Sequence, residues 1–460
     1  MSGVSKAAQP VSPLTLELTR YMAGALRRKL PPEVAERAKI HLVDTFAAIV
    51  SGSRLLPGKR ATGYVRSLGG PREAGVLGTR IVTSAAHAAL ANGMCGHADE
   101  TDDTHPPTRA HPGASIVPAV LAIAERGRHS GTALLRAMVL GWDVCARLLL
   151  ALDNIHLLKT GHHAGAKGGL FGSAAGAAAL LGLDATRMRY VLAYCSQQAS
   201  GSYVMHRDSE HVEKAYVVGG MPAQNGVAAA LMVSHGFTAV EDELSGTPNF
   251  LWIYAPDADR DALVRGLGRD YEIMRGGIKF WPVGGPVQAP LHVLRDLMRA
   301  HHFAATDVAR IVVRMPDREL GIVNNRDMPD ISVQHLLAVM LVDGNVTFAS
   351  AHDYRRMRDA RVLAVRRLVE ATGDPGLTDP ERRWRCAMDV TLKDGRVLAH
   401  GTMAAPGGVD SPLSREDAIE KALDLLGPVL GPRRSRALVT ALLDVEKIRD
   451  ARALRPLYRD

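Results

Sequence analysis

The sequence predicts a mainly α protein, with a large all-helical domain and a smaller α+β unit inserted before the last helices. Three observations carry this. The first ~265 residues show apolar side chains at helical spacing in one segment after another. Val and Ile cluster into strand-like runs only after about residue 270. Aromatic residues make up only 5% of the chain, so its cores must be built from Ala, Leu and Val, which favours closely packed helices.

In chain order, Pro31 and Pro32 open a helix where a missing N–H costs nothing, and Gly52 follows its apolar stripe as a stop. Similar patterns cover roughly 83–92, 115–126, 131–151, 169–182, 185–197 and 222–235. Gly168, Gly172 and Gly176 recur at four-residue steps and let backbones approach. Residues 308–315 read as a strand. The runs 387–392 and 397–402 flank Asp394-Gly395, a two-residue hairpin signal. Helical segments at 288–301, 332–343 and 353–370 separate these strands. Ser414 with Asp417 forms a capping box opening a helix that Gly427 ends. The expected domains are 1–268, all-helical; 269–403, α+β; and 404–460, helices returning to the first domain.

The chain has 460 residues, with 56 Lys and Arg against 48 Asp and Glu, a formal charge of +8. Such an excess suits nucleic acid, a membrane surface or small acidic substrates. Phosphate-loop spacing is missing around Gly165-Ala166-Lys167-Gly168, and so are HExxH and zinc-finger spacings. Scarce aromatics leave few stacking platforms, so no nucleic-acid partner is expected. The longest uncharged run, 168–183, is short of the ~20 residues of a membrane span, so no membrane partner is expected either. Cys95, Cys145, Cys195 and Cys386 are too dispersed for a disulfide framework, and no signal-peptide pattern opens the chain. The expected compartment is cytoplasmic.

Polar residues gather in four places. Residues 97–113, HADETDDTHPPTRAHPG, lie between apolar helical runs and are stiffened by three prolines, as a site built on a loop would be. The composition also suits an acidic surface turn or a metal site. Gly161-His162-His163 feeds the Gly/Ala helix, where a His can be a core residue or can face an anion at the helix start. Residues 205–214, MHRDSEHVEK, place Lys214 before another Ala-rich helix, and 278–290, IKFWPVGGPVQAP, turn at Gly284-Gly285-Pro286.

Taken together, these segments resemble the MmgE/PrpD superfamily, which includes 2-methylcitrate dehydratase, cis-aconitate decarboxylase and iminodisuccinate epimerase. The resemblance runs through HADETDDTH, HPGASIVPA, GWDVCARL, HHAGAKGGLFGSAAGAAALLGLD, EKAYVVGGMPAQNGVAAA, IKFWPVGGPVQAP and SVQHLLAVMLVDGNVT. It implies a helical domain, an α+β lid, a cleft site between them, a homodimer, and no metal or organic cofactor. Glu100 falls where the family usually has an Asp. Thr104, His111, His163 and Lys214 match family site residues. Gln288 stands at the family's frequent lid His and Val323 at its lid Tyr, both part of the decarboxylase pattern.

Removing a proton next to a carboxylate makes a dianionic enolate that needs cations and hydrogen-bond donors. His111, His163 and Lys214 are the candidate catalytic groups, with Glu100 orienting one of them. Thr104, Gln288, Lys279 and His105 are the candidate substrate contacts, and His206 or His211 could substitute for the lid His. The expected function is a cofactor-independent lyase of the 2-methylcitrate dehydratase type, acting on a small anionic di- or tricarboxylate. Alternatives are a dicarboxylate epimerase, a cis-aconitate-type decarboxylase, a metal-dependent hydrolase using His97, Asp102, Asp103, His105 and His111, and a non-catalytic binding protein.

Overall fold

The computed structural model describes residues 10–379 and 382–460, with side chains throughout except at 154 and 155. The chain is mainly α. Its contacts divide it into a helical unit (the chain to Ala98, Thr108–Met274 and Val429–Asp460) and a sheet unit (Asp99–Pro107 and Arg275–Pro428). Two features depart from the expected boundaries. The loop Asp99–Pro107 belongs to the sheet unit although helical-unit sequence surrounds it. The sheet unit also continues beyond 403 to Pro428.

At the centre of the helical unit lies the helix Ala164–Leu180, packed by Pro112–Gly127, Gly131–Ala151, Ala185–Gln198 and Met221–Ser234. Its glycines act as the spacing suggested. A Cβ on Gly172 would sit 2.4 Å from the carbonyl oxygen of Gly141, and one on Gly176 would sit 2.8 Å from that of Ala137. Dispersion between touching backbones thus replaces large side chains. Gly52 is the last residue of the helix Pro32–Gly52, and a Cβ there would lie 1.9 Å from the carbonyl oxygen of Cys95. A short ladder pairs β1 (Ala74–Gly75) with β2 (Val82–Thr83).

The sheet unit contains β3 (Val308–Met315), β4 (Val369–Gly373), β5 (Cys386–Leu392) and β6 (Val397–Thr402), in the order β4-β3-β5-β6. β3 runs parallel to β4 and antiparallel to β5, and β5 to β6 is antiparallel. Cys386, Met388, Val390 and Leu392 alternate inward along β5, under the helix Gln288–His301, and share a core with the helix Val333–Asp343. Strand β4 lies where helix was expected through 370. Its helix is only Ala360–Arg366, because an edge strand with no fully buried residue leaves little periodic signal. The β5–β6 loop is three residues rather than two. Leu392 N–H donates to Arg396 O, and Gly395 takes φ 91°, the left-handed position such a loop requires.

Ser414 accepts from Asp417 N–H and caps the helix Arg415–Leu443. That helix does not stop at Gly427. It kinks at Gly431, where φ is 74°. No described helix is long and apolar enough to cross a membrane.

Candidate functional site: a histidine cluster in the helical unit

Helix ends put imidazoles together. His97 caps the C-terminus of Ala85–Gly96 and is fully buried. His111 is the N-cap of Pro112–Gly127, with its ring 4.9 Å from that of His97. His211, also buried, has its ring 5.3 Å from that of His97. Its φ of 61° turns the chain into the short helix Val212–Ala215, which carries Lys214. A π-helical turn, Tyr216–Gly220, then leads into Met221–Ser234.

Two glycines fix this turn against the helix that ends in His97. A Cβ on Gly219 would lie 2.0 Å from the carbonyl oxygen of Gly93, and one on Gly93 would lie 2.4 Å from that of Gly219. Beneath them, Ala166, Met205, Val217, Val218 and Met221 form an apolar floor joining the π turn to the 3-10 turn Tyr203–Arg207. That turn carries His206, stacked on Tyr203 with ring centroids 4.0 Å apart and 6.5 Å from His163.

His163 is the N-cap of Ala164–Leu180. Its Nδ1 accepts the Ala166 N–H at 3.1 Å, and the backbone N–H of His163 donates to Gly201 O at 2.9 Å. Burial lowers its pKa well below the ordinary histidine value. The positive ends of His206, His111, His97 and Lys214 push it in the same direction. The ring is therefore neutral near pH 7. Because Nδ1 is an acceptor, the proton sits on Nε2. Two packed helices, 112–127 and 164–180, thus begin at site histidines, and their N-terminal partial charges also favour an anion and disfavour imidazolium.

The remaining candidates lie in the sheet unit. Thr104 exchanges two backbone hydrogen bonds with Gly277, N–H to O at 2.9 Å and O from N–H at 2.8 Å. It also lines a cavity of about 40 Å³ with Pro106, Arg382, Arg383 and Trp384. Lys279, expected to reach substrate, is 2% exposed. Its Nζ instead donates to Glu100 O at 2.6 Å and lies 3.4 Å from Asp102 Oδ1. Glu100 is half-buried, and His105 is fully buried.

Gln288 is fully buried in the sheet unit. Its amide donates to Trp281 O and Val283 O, and its carbonyl accepts from Trp281 N–H, so both expected donors are committed to backbone. Val323 packs in the sheet unit's core rather than at a site surface. Lys167, from the failed phosphate-loop pattern, is buried with Nζ 4.7 Å from the centre of the Tyr254 ring and donating to Ser200 O. His97, His111 and His211 are donors of the type that hold divalent cations. Asp102, named with two of them in the metal reading, faces Lys279.

Sequence spacing separated His97 and His111 from His206 and His211 and gave no reason to join them. Lys421 was missed altogether. It donates to Thr101 O at 2.9 Å from a helix more than three hundred residues away in sequence.

The MmgE/PrpD N-terminal domain matches residues 16–262, and the MmgE/PrpD C-terminal domain matches residues 281–445. The chain is similar to cis-aconitate decarboxylase of Aspergillus terreus, 25% identical across 95% of this chain and 94% of that protein. It is also similar to human cis-aconitate decarboxylase, 26% identical across 94% of this chain and 91% of the relative. The mouse protein of the same name is 26% identical over 81% and 78%.

Proposed function

The chain belongs to the MmgE/PrpD family, and from that premise we propose that it is a lyase acting on a small tricarboxylate through a carbanion stabilised by an adjacent carboxylate. The observation that carries this reading is His163. It is neutral, with its proton on Nε2, and set among His97, His111, His206 and Lys214. A carboxylate-stabilised carbanion is an enolate in which negative charge grows on oxygen. Fixed donors and a cation aimed there lower its energy without reorganising during reaction.

The roles divide by chemistry. His163 donates its Nε2 hydrogen to the developing oxyanion, as a neutral imidazole can. Lys214 supplies positive charge. His111 is half-exposed at a helix start, and it moves the proton at carbon. In the sheet unit, Thr104 hydrogen-bonds a substrate carboxylate, and Glu100 orients the groups of its own loop.

In dehydration, His111 takes the C–H proton, and the imidazolium so formed gives a proton to the departing hydroxide, which leaves as water. A second reading, decarboxylation, is favoured by the names of the relatives. There the C–C bond breaks, its electron pair stays on carbon as CO2 departs, and His111, entering this step as imidazolium, gives that carbon a proton. Both need the same oxyanion donors.

The test is product analysis in deuterated water with citrate, 2-methylcitrate, cis-aconitate and dicarboxylate analogues, before and after exhaustive chelation. Dehydration gives an alkene, decarboxylation gives CO2 with deuterium at the vacated carbon, and epimerisation gives exchange without either. Turnover that depends on a metal, or none with any member, overturns the proposal.

A further inference from the structure

We propose that His352 is a positioning residue, holding the loop with Glu100 and Thr104 through a buried ion pair with Asp99. This rests on the reading of those two residues as substrate-facing, and every group in it belongs to the sheet unit.

The geometry fixes the charge state. Nδ1 of His352 lies 2.8 Å from Phe348 O, which can only accept, so Nδ1 carries a hydrogen. Nε2 lies 2.9 Å from Asp99 Oδ2, and a carboxylate there also calls for a hydrogen. A ring protonated at both nitrogens is an imidazolium. Asp330 Oδ2 stands 4.0 Å away as a second carboxylate, and both aspartates are 4% exposed. Burial works against the charge, but the Asp99 carboxylate at 2.9 Å and the Asp330 carboxylate outweigh it and raise the pKa to about 9.

The pair acts on the loop through its first turn. Asp99 Oδ1 accepts the Thr101 N–H at 2.9 Å, closing a turn around Glu100. Further along, Lys279 holds Glu100 O, Lys421 holds Thr101 O, and Gly277 pairs with Thr104. Asp330 O in turn accepts the Gly284 N–H, so one imidazolium lies against both the site loop and the segment that braces the Lys279 motif. With Lys279, Lys421 and Gly277 still in place, loss of His352 loosens the turn at Asp99–Thr101 without releasing the whole loop.

The test uses the full chain with His352→Gln, which removes the charge and keeps a polar side chain. Asp99→Asn keeps the volume and carries the test should the first variant not fold. Hydrogen exchange of the peptide spanning 98–105 needs no substrate, and the Thr101 amide is its direct reporter. We expect at least tenfold faster exchange there, with the peptides of β3 and β5 unchanged. We also expect kcat to fall 10- to 100-fold while KM changes less than threefold, because misplacement of positioned groups is felt mainly in the reacting state. The double variant should lose no more than the worse single one, since both break the same pair.

Unchanged exchange in 98–105 overturns the pairing, whether or not a substrate is known. Faster exchange with kcat intact overturns the positioning role. Absence of turnover by the unmodified protein overturns only the functional reading beneath it.

Discussion

The Ala166 N–H donates to Nδ1 of His163 at 3.1 Å, and that bond decides which ring nitrogen bears the proton. A neutral ring held this way offers Nε2–H to a ligand and cannot serve as a base through Nδ1. Nitrogen NMR of the protein labelled at histidine should therefore find His163 neutral, with hydrogen on Nε2, from pH 8 down through pH 6. An imidazolium signal for His163 at pH 7 contradicts the assignment.

The same bond makes a kinetic prediction. His163→Ala removes an oxyanion donor and should lower kcat by about 10²–10³. Lys214→Ala should also lower kcat, and its loss should be smaller at high salt if screening already weakens its charge. Steady-state kinetics on the substrate found in the panel decides both.

Gly93 and Gly219 touch through their backbones, so either one changed to Ala forces the π turn away from the helix ending at His97. Gly219→Ala should destabilise the protein by about 1–3 kcal/mol, in the range of overpacked cores. Turnover should fall more than stability alone explains, because His97 and Lys214 lie on the two displaced segments. Urea unfolding and activity at 20 °C measure the two effects separately.

Gln288 makes three hydrogen bonds to buried backbone, which marks it as structural. Gln288→Ala leaves the Trp281 and Val283 groups unsatisfied and should cost roughly 2–4 kcal/mol. The KM of the folded fraction should stay within about twofold. A large KM rise without loss of stability would show that the amide reaches substrate after all.

His335 sits in the sheet unit's core with neither ring nitrogen hydrogen-bonded. Burial, with Arg366 and Arg356 adding to it, lowers its pKa to about 4. The unfolded chain takes up this proton near pH 6.5 and the folded chain only near 4, so stability falls as pH drops between those values. At about 1.4 kcal/mol per unit the difference reaches roughly 3 kcal/mol, and His335→Leu should remove it. Denaturant midpoints at pH 7 and pH 4.5, with and without the substitution, test this.

Much of the helical unit was legible because its signals are local. Residues 131–151 and 288–301 carry a helical stripe along their whole length and form helices with those ends. Strand β3 likewise matches its Val/Ile run. Strand β4 was hidden because its partner β3 lies more than fifty residues earlier and its side chains show no buried face.

The site was legible as separate segments rather than as a cluster. His111, His163 and Lys214 were marked by motif, and their approach depends on backbone contacts such as Gly93 with Gly219 that no spacing reveals. The surroundings of Gln288 could not be read from its motif, for a physical reason. A glutamine in a turn motif looks the same in sequence whether its amide meets a ligand or closes on Trp281 and Val283. His352 and Lys421 carried no signal, since each meets the loop across more than two hundred residues of chain.

The central claim is that the His163 cluster stabilises a carboxylate-adjacent carbanion, and deuterium exchange at that carbon tests it most directly. With the tricarboxylate identified by the panel, the unmodified protein should wash solvent deuterium into the carbon next to the carboxylate. His163→Ala should slow this at least 100-fold at saturating substrate. Exchange that proceeds at the unmodified rate in His163→Ala contradicts the account.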